Sequence, residues 1–175
     1  MLIKKDDSTR FRKLNRVTVK DAYPLPKIDD SLNHMSEAKW FSTIDLGSGY
    51  WQVHVESRDR QKTAFAKRKE LYQFQVMLFG LCNALATFER LMVTVLAGLQ
   101  GNICLIYLTD VIVFGKELEH MIENLSLIFE RLLSPELMLK PTKYTLFARK
   151  VEYLGHAVSE NGISTDPRKV RVVKT

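Results

Sequence analysis

Only two cysteines, Cys82 and Cys104, occur in 175 residues. They are too few for a disulfide framework or a four-cysteine zinc site, and the default expectation is a reduced, intracellular setting, cytoplasm or nucleus. Missing as well is any uninterrupted apolar run near the roughly 20 residues that span a bilayer, so no membrane partner is expected. At the N-terminus Met1-Leu2-Ile3 runs at once into Lys4-Lys5-Asp6-Asp7, which leaves no apolar core for a signal peptide. Internal repeats, low-complexity tracts and Gly/Ser linkers are absent too. What remains is 46% hydrophobic and 26% charged, the composition of a folded domain rather than a disordered tail. A chain of this length can bury about 70% of its unfolded surface around one core.

The charge is unevenly placed. Lys and Arg number 26 against 20 Asp and Glu, a formal net of +6. Residues 1–27 carry 8 basic and 3 acidic side chains, and residues 140–175 carry the same numbers, so each arm is +5. The middle, 28–139, has 10 basic and 14 acidic residues, a net of −4. Within it Arg58, Arg60, Lys62, Lys67, Arg68 and Lys69 form a local basic block. Basic arms around an acidic centre suit a polyanion with a cation site between them, and a solvated basic surface accounts for the charge alone equally well.

Periodicity and punctuation give the elements. Residues 1–5 and 10–19 are short, mixed apolar and basic, and β-prone. Tyr23-Pro24-Leu25-Pro26 is extended by its prolines. Asp29 or Asp30 can cap a short helix to about Glu37. Trp40 to Leu46 reads as a strand stopped by Gly47-Ser48-Gly49. Segments 63–66 and 71–76 flank a basic turn as a hairpin. Asn83 opens a helix as its N-cap, with Phe88, Leu91, Met92, Val95, Leu96 and Leu99 at helical spacing. Strands at 103–108 and 111–114 are pinched around Thr109-Asp110. Leu118 to Leu132 is the clearest amphipathic helix, ended by Pro135. Residues 151–164 read as a last hairpin turning at Glu160-Asn161-Gly162. This order argues for an α+β fold, a largely antiparallel sheet with helices on one face.

Two carboxylates stand out by position. Asp45 ends an apolar strand before a glycine-rich turn, and Asp110 sits at the tip of a tight hairpin between two apolar strands. An ionised carboxylate is costly to bury unless paired or metal-bound. Carboxylates at the ends of adjacent strands suit Mg²⁺, a hard ion that prefers oxygen ligands. Taken singly, each is explained as well by a solvated turn residue.

The surrounding strings narrow the choice. Phe41-Ser42-Thr43-Ile44-Asp45-Leu46-Gly47-Ser48-Gly49-Tyr50-Trp51-Gln52 resembles the first catalytic motif of reverse transcriptases. Phe79-Gly80-Leu81-Cys82-Asn83-Ala84-Leu85-Ala86-Thr87-Phe88 resembles their nucleotide-binding motif. Tyr107-Leu108-Thr109-Asp110 lies where that family has a Tyr-x-Asp-Asp box. Arg12-Lys13-Leu14-Asn15 with Asp21-Ala22-Tyr23-Pro24-Leu25-Pro26 resembles the fingers of gypsy-class LTR retrotransposon Pol polyproteins, and Tyr153-Leu154-Gly155-His156 resembles their primer grip. The matches run in order over about residues 2–170.

The resemblance implies a right-hand polymerase palm with truncated fingers and no thumb. It divides the chain into partial fingers at 1–28, palm at 29–57, a fingers hairpin at 58–80, palm at 81–160 and the start of a thumb or connection at 161–175. It implies RNA-directed DNA synthesis on an RNA/DNA template-primer from deoxynucleoside triphosphates. Two Mg²⁺ or Mn²⁺ ions roughly 3.5–4 Å apart would serve that chemistry. By the resemblance Asp45, the Leu46 carbonyl and Asp110 are the metal ligands. Gly47, Ser48, Gly49, Tyr50, Phe79 and Gly80 line the nucleotide, Lys5 and Arg10 grip its triphosphate, and Leu154, Gly155 and His156 hold the primer.

The chain departs from the family at Thr109, where an essential Asp is expected. Threonine is a weak Mg²⁺ ligand, and Asp110 is not expected to replace the lost group by a register slide, which would turn every flanking side chain over. Arg10-Phe11 also runs straight into Arg12-Lys13-Leu14-Asn15, as if the central fingers strand were deleted. Leu85 replaces a helix-start proline, and Glu136 and Tyr144 stand where Gly and Cys are usual. Thumb, connection, RNase H and integrase regions are expected beyond Thr175 in an intact element, and protease and Gag before Met1. The expectation is a reverse-transcriptase fragment with impaired or absent activity. A non-enzymatic nucleic-acid-binding remnant and a degenerate product without a biochemical role stand beside it.

Overall fold

The computed structural model describes residues 11–24, 35–47, 49–134 and 137–165. The chain divides into two compact units, one of residues 1–24 with 48–90 and the other of residues 25–47 with 91–175.

In the first unit, α1 (Arg12–Val17) corrects the β-prone reading of 10–19. Its turns close through Asn15 N–H to the Phe11 carbonyl at 2.8 Å and Thr18 N–H to the Leu14 carbonyl at 3.0 Å. Buried Phe11 anchors its start, and tertiary bonds from Asn15 override a local preference that is weak in either direction. A one-turn helix α2 (Ser57–Arg60) precedes the expected hairpin, β2 (Phe65–Lys67) paired with β3 (Glu70–Tyr72). Phe65 stacks on Tyr72 and on Phe74, with centroids 5.7 and 4.9 Å away. Helix α3 (Ala84–Val95) starts just after Asn83. The Asn83 side chain does not serve as a simple N-cap: its Oδ1 accepts from Asp21 N–H and its Nδ2 donates to the Val19 carbonyl.

The second unit is built on an antiparallel sheet of β1 (Trp40–Asp45), β4 (Cys104–Tyr107), β5 (Asp110–Gly115) and β6 (Thr145–Ala148), in the order β4-β5-β1-β6. The sequence Val111-Ile112-Val113-Phe114 is buried throughout, as a central strand covered on both faces must be. Phe41, Leu105, Ile112 and Phe114 meet Met35, Ala38, Val151, Tyr153 and Val158 in one cluster. Helix α4 (Leu118–Leu133) packs on β5 and β1 through Met121, Leu125, Ile128 and Leu132, the 3–4 spacing read from the sequence.

The C-terminal segment corrects the single hairpin. β7 (Lys150–Tyr153), β8 (His156–Ser159) and β9 (Gly162–Thr165) form a three-stranded meander. The additional turn is Leu154-Gly155, with φ of 51° and 80°, the paired positive values of a two-residue hairpin turn. Only Gly155 advertises it, so the turn was hidden behind Leu154.

Cys104 is buried, and burial pushes its thiol up to about 12; Cys82 is half-buried and also free. Among the described residues no helix is long and apolar enough to cross a membrane. The expected helix from Asp29 or Asp30, the Leu25-Pro26 pair and Pro135 lie outside the described residues; Met35 to Glu37 form a turn.

Candidate active site

The β4–β5 turn is Leu108-Thr109, one residue earlier than the Thr109-Asp110 tip expected, because Tyr107 pairs with Asp110. Leu108 takes φ of 57°, a conformation that costs a bulky residue on the order of 1 kcal/mol and clusters at functional sites. Asp110 is therefore the first residue of β5 and lies directly opposite Asp45, the last residue of β1. The Leu46 N–H donates to the Thr109 carbonyl at 2.9 Å, which makes Asp45–Asp110 a non-hydrogen-bonded pair, the kind whose side chains stand closest on one face. No register slide is needed to bring them together.

That face also carries Thr43 and opens into a cavity of about 180 Å³ completed by Lys143, Glu152, Tyr153 and Leu154. Lys143 Nζ donates to Asp45 Oδ2 at 2.5 Å. Its ammonium pKa is raised, first by that hydrogen bond and then by the charges of Asp45 and Asp110. The Asp110 pKa is raised by crowding among protein atoms, although the residue reaches solvent; Asp45 raises it further and Lys143 opposes. Gly47 follows at the strand end, where a Cβ would lie 2.9 Å from Lys140 Cδ.

In the first unit a second set of expected residues meets. Tyr50 is buried edge-on between Phe79 and Phe88, with centroids 4.8 and 5.4 Å away. Its phenol pKa is raised by burial and then by Glu89. Gly49 is obligatory here, since a Cβ would sit 2.4 Å from Phe88 Cζ. Phe79 is half exposed and Gly80 takes φ of 92°. The Gly80 carbonyl accepts from Asn15 Nδ2 at 2.7 Å, while Asn15 Oδ1 accepts from Cys82 N–H at 3.0 Å. Arg90 pairs with Asp21 at 2.7 Å and lies over the Tyr23 ring.

Residues 7–158 match the family model described as reverse transcriptase (RNA-dependent DNA polymerase). The chain belongs to the reverse transcriptase family. This reverse transcriptase domain is 36% identical over 163 residues to the retrovirus-related Pol polyprotein from transposon 297 of Drosophila melanogaster, covering 93% of this chain and 15% of the relative. It is 38% identical over 163 residues to that from transposon opus of the same organism, with 93% and 16% covered. Against the RNA-directed DNA polymerase homolog of Oenothera berteroana it is 40% identical over 123 residues, 69% of this chain and 87% of the relative. The domain thus spans about a sixth of the Pol polyproteins it matches. Its fold is that of the foamy viral protease-reverse transcriptase dRH in complex with ds DNA, at a TM-score of 0.87 and 20% identity, over 95% of this chain and 29% of that one. The α+β palm read from the sequence is thereby shown.

Of the residues singled out in the sequence, Asp45, Asp110 and Leu154 border one cavity, and Leu46 joins them through its bond to Thr109. Gly155 completes the β7–β8 turn with Leu154, and His156 opens β8. Tyr50, Gly49 and Phe79 form the aromatic cluster, flanked by Gly80. Lys5, Arg10 and Ser48 lie outside the described residues. Sequence reasoning missed Lys143, one of eight basic residues in the C-terminal arm with nothing local to distinguish it. It also missed the structural use of Asn15, although Asn15 closes the Arg-Lys-Leu-Asn string.

Proposed function

We propose that this domain is the catalytic-core portion of an RNA-directed DNA polymerase, built to bind an RNA/DNA template-primer and deoxynucleoside triphosphates, with catalysis impaired at Thr109. The observation that carries the reading is the Asp45–Asp110 pair, two carboxylates opposed on one face at the ends of adjacent strands. With the Leu46 carbonyl they form an all-oxygen donor set, which suits a hard divalent ion such as Mg²⁺ or Mn²⁺. Two carboxylates fit one ion; a two-ion centre lacks the group that Thr109 replaces. A divalent ion held there supplies charge neutralisation at the primer hydroxyl and the departing pyrophosphate.

In this reading residues 29–57 and 81–160 act as palm and residues 1–28 and 58–80 as fingers. Tyr50, locked edge-on by Phe79 and Phe88, presents a rigid wall to the sugar. The Asn15 bonds hold Phe79-Gly80 in the shape that brackets the incoming nucleotide. Lys5 and Arg10 grip the triphosphate, Ser48 lines the nucleotide, and Leu154, Gly155 and His156 steady the primer end. The +5 arms supply sequence-blind phosphate contacts that weaken with salt. Complexes of foamy viral relatives with dsDNA and with an RNA/DNA hybrid support the class of ligand.

Primer extension on an RNA template with Mg²⁺ or Mn²⁺ tests the proposal. Thr109→Asp is expected to raise extension by about 10²-fold or more over the unmodified chain, and Asp45→Asn to abolish it. Full activity in the unmodified chain that survives Asp45→Asn would refute the assignment. Thr109 itself favours a second reading, nucleic-acid binding without catalysis: salt-sensitive RNA/DNA binding with no extension even after Thr109→Asp would select it.

A further inference from the structure

Lys143 is held by its backbone and free at its stem. It ends a 3₁₀ turn (Pro141–Lys143) in which its own N–H bonds the Lys140 carbonyl and Tyr144 N–H bonds that of Pro141, both at 3.1 Å. The Tyr144 ring packs on Phe129 of α4, with centroids 6.2 Å apart. At the other end of the turn, the Lys140 stem lies against Gly47. The Lys143 side chain then reaches across to Asp45 with its Nζ 2.5 Å from Oδ2, yet 51% of it is exposed. It is paired closely and has room to leave.

We propose that the Lys143 ammonium is the built-in counter-cation of the Asp45–Asp110 pair, and that a divalent ion reaches Asp45 by displacing it. The inference rests on the reading of these two carboxylates as a cation site. A single ammonium facing two carboxylates offsets part of their mutual repulsion. A dication bound to the same oxygens offsets all of it, and leaves Lys143 facing a cation. Thr109 brings no carboxylate to the turn, and Glu152, which also borders the cavity, comes from β7 and not from the opposed β1–β5 pair that holds the ammonium. Lys143 and the metal are therefore alternatives in this chain, and the turn that carries Lys143 sets how much divalent ion is needed to fill the site.

Mn²⁺ binding, read from the electron paramagnetic resonance signal of free Mn²⁺ at low ionic strength, tests this on the full chain. Lys143→Met is expected to bind Mn²⁺ roughly tenfold tighter than the unmodified chain, the effect of removing one partly screened positive charge from beside a dication. Lys143→Arg keeps the charge and stays within about threefold. Asp45→Asn loses the site in either background. Thermal melts cross over: in EDTA Lys143→Met melts below the unmodified chain, and Mn²⁺ raises its midpoint more. If Lys143→Met is unfolded in EDTA, Asp110→Asn with and without Lys143→Met gives the same comparison with one carboxylate fewer. Equal or weaker Mn²⁺ binding by Lys143→Met, with Asp45→Asn still abolishing it, overturns the displacement and leaves the cation site standing. Unchanged binding in Asp45→Asn overturns both.

Discussion

Ser42→Ala is expected to destabilise the sheet that carries Asp45 far beyond the loss of one hydroxyl. Ser42 lies in the middle of β1, fully buried. Beside it the β1–β6 ladder slips: Phe41 faces Ala148 but Thr43 faces Thr145, so two steps along β1 match three along β6. The extra residue is absorbed with Phe147 at φ of 55°, and a bulge of this kind removes an amide from the ladder. Ser42 Oγ accepts that Phe147 N–H at 3.0 Å. Alanine removes the acceptor and leaves the donor partly buried, at a cost of about 1–3 kcal/mol. At about 1.5 kcal/mol the midpoint falls by roughly 3–6 °C for a chain of this size, and exchange of the Phe147 amide through local opening quickens about tenfold. A thermal melt by circular dichroism and hydrogen exchange by NMR read the two effects. Ser126→Ala is the control, because its hydroxyl only back-bonds the Ile122 carbonyl on an exposed helix face and should shift stability by less than about 0.5 kcal/mol. A Ser42→Ala midpoint within the range of the control, with Phe147 still protected, would refute the bulge-anchor argument.

Two other outcomes follow from the same geometry. Gly49→Ala drives a methyl into the Phe88 ring and should cost about 1–3 kcal/mol as overpacking; near-ultraviolet circular dichroism should show the Tyr50–Phe88 contact disturbed, and an unchanged spectrum and melt would contradict it. Asp110→Asn should leave stability unchanged at pH 3 and raise it by on the order of 0.5 kcal/mol at pH 7, after discounting for solvent screening. The sign follows from a folded-state pKa above the ordinary carboxylate value: stability is lost as pH rises through that ordinary value to the raised one, and it stays lost above. Melts of both proteins across pH 3–8 in EDTA check it, and a gap that widens toward acid would count against the raised value.

Much of the second unit was legible because its signals are strong and local. Trp40 to Leu46 and Val111 to Phe114 are apolar runs bounded by turns, and α4 repeats apolar residues every three to four positions. The hairpin at 65–72 announces itself by a basic turn between aromatic strands. What escaped depends on partners distant in sequence. Arg12 to Val17 is too short and too mixed to declare a helix; the bonds from Asn15 to Gly80 and Cys82, more than sixty residues away, stabilise it. Leu154 conceals a turn because leucine is a poor advertisement for positive φ. Asp45 and Asp110 stood out by their place at strand ends and then by motif, but their shared face depends on where the β4–β5 turn falls. One residue of difference there decides it. Lys143 could not be found at all, since its meaning is its distance to Asp45, 98 residues earlier.

The bond from Leu46 N–H to the Thr109 carbonyl has a consequence for what position 109 can tolerate. Position 109 holds the hairpin to β1 through main-chain atoms, which every amino acid brings alike. The side chain there can change without loosening the turn, so folding places little restraint on its identity. Shape and chemistry are then inherited as separate traits. A substitution at this position can alter the second while the main-chain bond that serves the first stays in place. A carboxylate introduced at position 109 would therefore meet a turn whose main-chain bond to β1 does not depend on the side chain.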